Sequence, residues 1–198
     1  MKLFITLVTI LLFMDVNAQL EQVKFIEASF ENGMIYPVAV VKNSQEVADK
    51  INEHLQTQIE DLKNSDFCIG QYGYIQKGAH IQIHIFCNCI DFEESQNRYF
   101  LYNIETGDNV LYSDLFIPQK IKHAVSHLLE KTKSHASANN ITLSEDHIKS
   151  INDNSLDAFK VTFKREGMDL WLKSDTWGDK PLFISWSELK TSMKYSFI

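Results

Sequence analysis

Two histidines one helical turn apart have the spacing most suggestive of catalytic chemistry in this chain. His123 and His127 are four residues apart, a separation that lets two imidazoles on one helix face reach the same metal ion. The residues between them, Ala124-Val125-Ser126, lack the glutamate that acts as the base in a metalloprotease helix. Both histidines lie opposite the apolar stripe of the predicted helix, so a solvated polar face explains them. We therefore predict no metal and no other cofactor.

Three carboxylates cluster in a short predicted loop. They are Asp91, Glu93 and Glu94. A paired-carboxylate glycosidase needs two such groups around a sugar, one of them in an apolar site, and nothing in the sequence buries these. They are either a solvated loop or an acidic contact patch. The chain also lacks the G-x-S-x-G, H-E-x-x-H and phosphate-loop motifs, so we predict no catalytic residues.

Aromatic side chains supply candidate contacts for a partner. Trp177 lies in the polar segment SDTWGDK, residues 174–180. An exposed tryptophan there anchors a partner or stacks on a sugar ring, whereas the alternative is that the indole folds back over the core. The residues predicted to bind a ligand or partner are Tyr72, Tyr74, Asp91, Glu93, Glu94 and Trp177.

Three cysteines leave room for one disulfide. Cys87 and Cys89 are two residues apart in HIQIHIFCNCI, so on a strand they share one face. One of them can pair with Cys68 and leave the other buried, and we name Cys68 with Cys89 as the candidate pair. The alternative is three buried thiols that act as small hydrophobic side chains.

The N-terminus has the layout of a secretory signal. Residues 1–18 contain one lysine, a twelve-residue apolar run and Val16-Asn17-Ala18, with small side chains where a signal peptidase cuts. The alternative is an uncleaved anchor. Cleavage would leave residues 19–198 as a single α+β domain, secreted or periplasmic, with no further segment for stable membrane insertion. The net charge of −7 disfavours nucleic acid and favours a cationic protein as partner.

Hydrophobic periodicity predicts an α+β fold. An antiparallel or mixed sheet is built from hairpins, with two main amphipathic helices packed on one side. One helix is expected over 43–64, a second after Pro118, and a third, short one from about Thr142. The predicted strands cover 20–30, 34–41, 67–76, 80–90, 98–104, 109–112 and 159–163, with further strands around Leu170–Leu172 and Leu182–Trp186.

Short motifs along the chain resemble a secreted domain catalogued only as a domain of unknown function. They are Asn103-Ile104-Glu105-Thr106-Gly107, then Leu111 and Asp114-Leu115-Phe116, and the closing Ile184-Ser185-Trp186-Ser187-Glu188-Leu189. Tyr36-Pro37 and Lys77-Gly78-Ala79-His80 are similar to its N-terminal half. That domain occurs in the outer part of lysozyme-sensing anti-sigma factors and beside secreted polysaccharide deacetylases. The resemblance implies a binding module that needs no active site.

Two functions remain open from the sequence. The first is a secreted or periplasmic module that recognises a cell-wall component or a cationic protein such as lysozyme, without catalysis of its own. The second is a secreted hydrolase of sugar or peptidoglycan substrates with an unrecognised active site.

Overall fold

A computed structural model describes residues 22–93, 95–173, 177–178 and 180–194. The predicted signal segment 1–18 and the candidate site residue Glu94 lie outside these residues. The described chain has an α+β fold with antiparallel sheets, as predicted. Its elements are β1 (Val23–Ser29), β2 (Ile35–Val41), α1 (Gln45–Gln58), α2 (Glu60–Lys63), β3 (Cys68–Lys77), β4 (His80–Cys89), β5 (Gln96–Asn103), α3 (Ile121–Ala138), α4 (Glu145–Asn154), β6 (Phe159–Phe163), β7 (Gly167–Leu172), β8 (Leu182–Ser185) and α5 (Trp186–Leu189).

The strands are divided among three small sheets. Their orders are β1-β2, β3-β4-β5 and β6-β7-β8, each following the chain. Contacts group the described residues into two compact units. Unit 1 comprises 22–72, 85–93, 95–96 and 103–108, and unit 2 comprises 73–84, 97–102, 109–173, 177–178 and 180–194. The assignment of one domain to residues 19–198 stays a prediction.

Unit 1 is organised by the packing of α1 on β2. The helix buries one face, Val47, Ala48, Ile51 and Leu55, because apolar residues at helical spacing form a stripe. Asn52 fixes the helix to the strand: its Nδ2 donates to the Ala39 carbonyl at 3.0 Å, and its Oδ1 accepts from the Ala39 N–H at 2.7 Å.

The first helix differs from its predicted bounds at both ends. Ser44, the second residue of the predicted range, is the N-cap, and its Oγ accepts from the Val47 N–H. Asn43 has φ 69°, a left-handed conformation that does not suit an N-cap, which needs extended backbone. A break at Ile59 separates α1 from α2, so the single helix predicted over 43–64 is two helices.

Unit 2 has its core between the third sheet and helix α3. The inward positions Phe159, Val161 and Phe163 of β6 are buried, as expected for a strand with one covered face. In α3, Ala124 and Leu128 are buried, with Ile121 and Leu129 packed at the margin of the same core.

The predicted strand over 109–112 is wrong. Only the bridge between Tyr102 and Asn109 forms, and the chain then turns into a 3₁₀ helix, Tyr112–Leu115. The two carboxylate oxygens of Asp157 accept from the N–H groups of Tyr112 and Ser113 at 2.9 and 3.0 Å. The Asp157 side chain therefore accepts the backbone hydrogen bonds that a neighbouring strand would have accepted in a β-sheet.

Two helix starts also differ from the predicted ones. Helix α4 begins at Glu145, since Ser144 forms a capping box with His147. Trp186, expected at the end of the last strand, is the first residue of α5. In both cases a serine provides the cap and so determines where the helix begins.

Candidate functional site

Asp91 of the predicted acidic patch binds backbone and side-chain groups of its own unit. Its Oδ2 accepts from the Ser65 hydroxyl and, at 3.0 Å, from the Asp66 N–H. These two hydrogen bonds lower the pKa of the Asp91 carboxyl below its ordinary value. The stabilisation they provide is present above the ordinary pKa and is lost as the pH falls through the lowered one. Asp91 is exposed, so it anchors a loop while facing solvent.

The segment that Asp91 holds is also held by Asn32. The Asn32 Nδ2 donates to the carbonyl oxygens of Leu62 and Ser65 at 2.7 and 2.9 Å, and its Oδ1 accepts from the Met34 N–H at 3.1 Å. The turn between β1 and β2 thus ties down the chain just ahead of β3. The surface beside Asp91 is consequently built on fixed backbone.

A disulfide between Cys68 and Cys89 joins the first residue of β3 to the last residue of β4. Both cysteines are buried, and the third, Cys87, is a buried thiol. Successive residues of a strand point to opposite faces. The neighbours of the two bridged cysteines therefore face outward.

Those outward neighbours form an exposed apolar cluster. Phe67 is 55% exposed, Ile69 66% and Ile90 73%, and the Ile90 N–H donates to the Phe67 carbonyl at 3.0 Å. Asp66 immediately precedes Phe67, and Asp91 and Glu93 come shortly after Ile90; all three carboxylates are exposed. We refer to these six residues as the unit 1 patch. Apolar side chains this exposed and this close together are typical of binding surfaces.

The unit that carries the patch is strongly acidic. Its described residues have twelve carboxylates against four lysines, a formal charge of −8, whereas the described residues of unit 2 have nine carboxylates against fourteen Lys and Arg. The acidity of the described residues therefore originates in unit 1. Its carboxylates are Glu27, Glu31, Glu46, Asp49, Glu53, Glu60, Asp61, Asp66, Asp91, Glu93, Glu105 and Asp108.

The aromatic residues predicted for the site lie in different places. Tyr72 belongs to unit 1 with Asp91 and Glu93, whereas Tyr74, which is exposed, belongs to unit 2. Trp177 is only 2% exposed and stacks on the His135 ring, with centroids 5.1 Å apart. A buried indole presents no face to a partner, so the anchor role predicted for Trp177 is wrong in this structure, and the indole lies over the core of its unit.

The histidine pair does not form a metal site among the described residues. His127 Nε2 lies 3.8 Å from Glu188 Oε1, and Glu188 also binds Lys131 and the Ser185 N–H. These bonds, Lys131 first, lower the pKa of Glu188 to about 2. Within 22–93, 95–173, 177–178 and 180–194, no three His, Cys, Asp or Glu side chains are grouped to hold a metal ion.

The motifs that suggested a family have structural roles here. Gly107 has φ 78°, and a Cβ on it would lie 2.8 Å from the Val47 carbonyl oxygen of α1, which requires glycine. Leu115 and Phe116 are buried, and Phe116 pairs with Met193 in an isolated bridge. The Trp186 indole N–H donates to the Lys164 carbonyl at 3.2 Å. A likeness in these motifs is therefore a likeness of fold.

The fold is similar to that of a DUF3298 family protein from Pseudomonas aeruginosa PAO1. The two structures superpose with a TM-score of 0.51 over 89% of this chain and 95% of that chain, at 11% sequence identity. At this identity the similarity establishes the fold alone. The neighbour belongs to a domain class of unknown function, in agreement with the kind of domain that the sequence motifs indicated. No family model and no curated protein matches the sequence.

Sequence reasoning missed the three apolar members of the unit 1 patch. The signal was present: once Cys68 and Cys89 are placed inside, strand alternation places Phe67, Ile69 and Ile90 outside. The alternation pattern did not show which side of the strand is covered by the rest of the protein.

No helix among the described residues is both long and apolar enough to cross a membrane.

Proposed function

We propose that this protein is a binding module that recognises a cationic protein, such as lysozyme, through the unit 1 patch, without catalysis of its own. The observation that carries the proposal is the exposure of Phe67, Ile69 and Ile90 next to Asp66, Asp91 and Glu93. A desolvated apolar centre with a charged rim is the usual anatomy of a protein interface.

The two parts of the patch have different roles in this proposal. The apolar side chains provide affinity, because their burial in a complex removes them from water. The carboxylates, together with the charge of −8 on unit 1, steer a cationic partner and raise the association rate. The backbone beneath is held by the Cys68–Cys89 bridge and by Asn32, so ordering the surface costs little on binding.

We also propose that the module works outside the cytoplasm. The signal-like layout of residues 1–18 supports export, and the disulfide suits an oxidising compartment. The motif resemblance to the outer part of lysozyme-sensing anti-sigma factors supports lysozyme as the first partner to test.

The apolar part of the patch is tested by surface plasmon resonance with immobilised lysozyme. Ile90→Ser and Ile69→Ser should each weaken the affinity roughly tenfold, mainly through faster dissociation. Ile26→Ser is the matched control, since Ile26 is 56% exposed in the same unit but lies on β1. Equal losses from Ile26→Ser and Ile90→Ser would contradict a specific patch.

The acidic rim is tested by the salt dependence of association. The double substitution Asp66→Asn with Glu93→Gln should slow association several-fold at low salt and little at high salt. Glu130→Gln, an exposed carboxylate of unit 2, should leave the rate unchanged. The proposed function would be overturned if the purified protein bound no cationic protein. It would also be overturned if the purified protein turned over peptidoglycan.

A further inference from the structure

Unit 2 contains an open cavity that has no part in the proposed function. It lies where the first half of α3 meets the C-terminal end of α4 and the 3₁₀ helix Ser155–Ala158, with a volume of about 740 Å³. Leu111, Ile121 and Val125 form its apolar part. This volume falls within the range of small-molecule sites.

Ser155 borders the cavity in a conformation that serine rarely adopts. Its backbone has φ 53° and ψ −126°, a strained region for a residue with a side chain. The residue is 3% exposed, and its Oγ has no hydrogen-bond partner among the described residues. A strained backbone and an unpaired buried hydroxyl both call for a compensating interaction.

The polar groups beside Ser155 are mostly neutral. Ser113 and Ser126 contribute hydroxyls, and Asn152 and Asn154 contribute amides. Asp157 also lines the cavity, but its carboxylate already accepts the two backbone hydrogen bonds that shape the 112–115 turn. Both of its carboxylate oxygens are therefore already engaged within the protein.

The two remaining charged groups of the lining oppose each other. Lys122 and Asp153 both border the cavity and both are exposed, so together they add no net charge. With Asp157 included, the lining has two carboxylates and one lysine, a formal charge of −1, which disfavours an anionic ligand.

We infer that this cavity binds a short neutral glycan, with Ser155, Asn152 and Asn154 bonding sugar hydroxyls and the Leu111–Ile121–Val125 wall covering a C–H face. Hydroxyls and amides both donate and accept hydrogen bonds, which matches the mixed donors and acceptors of a sugar. Ser155 lines the cavity with its buried hydroxyl unpaired, so a sugar hydroxyl can supply the hydrogen-bond partner that it lacks.

The test is an NMR titration of the ¹⁵N-labelled protein with the trimer of N-acetylglucosamine. The amides of 111–113, 121–126 and 152–157 should shift on binding. Ser155→Gly, which suits the positive φ, should weaken binding about tenfold through the lost hydrogen bond. Asn154→Ala is the second variant and should weaken binding several-fold.

Three controls separate this site from its alternatives. Ser134→Ala, an exposed α3 position outside the cavity, should not change the affinity. Lys122→Gln should change the affinity for the trimer less than twofold. A large loss of affinity in this variant would indicate a charged ligand and overturn the inference. NMR shifts with free lysine but not with the trimer would do the same. An absence of shifts with the N-acetylglucosamine trimer and with maltotriose would also overturn it.

The source of the glycan is resolved by cosedimentation with purified insoluble peptidoglycan. Sedimentation that the trimer competes away indicates a polymeric wall glycan, and trimer binding without sedimentation indicates a free saccharide. Ile90→Ser should leave both results unchanged, because Ile90 belongs to unit 1. A failure of the glycan site is thereby distinguishable from a failure of the unit 1 patch.

Discussion

Gln82 shows how much one buried amide can hold in place. Its Nε2 donates to the Tyr112 hydroxyl at 2.7 Å and to the Val161 carbonyl at 2.8 Å, and its Oε1 accepts from the Phe163 N–H at 2.8 Å. The side chain is buried, and burial also raises the pKa of the Tyr112 phenol. Gln82 thereby links β6 to the 3₁₀ turn that supports Ser113 at the glycan cavity.

We expect Gln82→Leu to lower the free energy of unfolding by about 3 kcal/mol. The substitution keeps the volume roughly constant but leaves a backbone N–H, a carbonyl and a phenol without a partner, each worth about 1–3 kcal/mol when buried. Urea unfolding measures the change. Gln71→Leu, at an exposed position of β3, should stay within about 0.5 kcal/mol of the wild type; similar losses in both variants would discount the network.

Helix α5 is stabilised by a capping box at its first turn. The Ser185 Oγ accepts from the Glu188 N–H, and the Glu188 Oε2 accepts from the Ser185 N–H at 2.9 Å. Lys131 of α3 pairs with the same carboxylate, so the cap also connects two helices of unit 2. His127 Nε2 also lies 3.8 Å from this carboxylate.

Glu188→Ala should cost about 1 kcal/mol of stability at neutral pH, since a cap and a partly exposed ion pair are lost together. The pKa of Glu188 is lowered from 4.5 to about 2. Its contribution is therefore complete above about pH 4.5 and is lost as the pH falls through about 2. Thermal unfolding from pH 7 to pH 2 should show the two proteins converging, and a constant difference would argue against the ionised cap. Glu188→Gln, which keeps the capping box, should lose less.

The Cys68–Cys89 bridge is expected to raise the free energy of unfolding by restricting the unfolded chain. It closes a loop with a sequence separation of 21, and a loop of this length is expected to contribute about 3 kcal/mol by restricting the unfolded ensemble. The double substitution Cys68→Ser with Cys89→Ser should lower the stability of the oxidised protein by about that amount in denaturant unfolding.

Reductant separates the bridge from the packing of the sulfur atoms. With reductant present, the wild type and the double serine variant should differ far less, because the covalent link is gone from both. Cys87→Ala is the control: this thiol is buried, so its loss leaves a cavity whose cost is independent of redox state. A double variant as stable as the oxidised wild type would show that the bridge contributes nothing.

The strand and hairpin pattern could be predicted from the sequence because it depends on local chemistry. Alternation in Phe159, Val161 and Phe163 predicted β6. The predicted strands 20–30 and 34–41 correspond to β1 and β2, which are joined by a turn in which Gly33 has φ 88°. The ends of the helices were harder to predict from the sequence. The caps at Ser44, Ser144 and Ser185 compete with other polar residues that have the same capping chemistry, and neighbouring packing selects between them.

The candidate site was predictable only in part, because exposure is a tertiary property. The acidic members Asp91 and Glu93 were found as a charge cluster, and both are exposed. Trp177 was expected outside on account of its polar neighbours, yet it is buried against His135. Burial of the large indole surface is favourable in itself, and the polarity of the neighbouring residues in the sequence does not reveal it.

By itself, the sequence determined the α+β class, the hairpins and the acidity, since propensity, periodicity and charge are properties of neighbouring residues. The tertiary structure decided which faces are covered: it placed Cys68 and Cys89 inside, and so Phe67, Ile69 and Ile90 outside. It also placed Asp157 against the Tyr112 and Ser113 backbone and left Ser155 beside a cavity. Period-two alternation states that adjacent residues face opposite ways, but only long-range packing determines which of the two faces meets water.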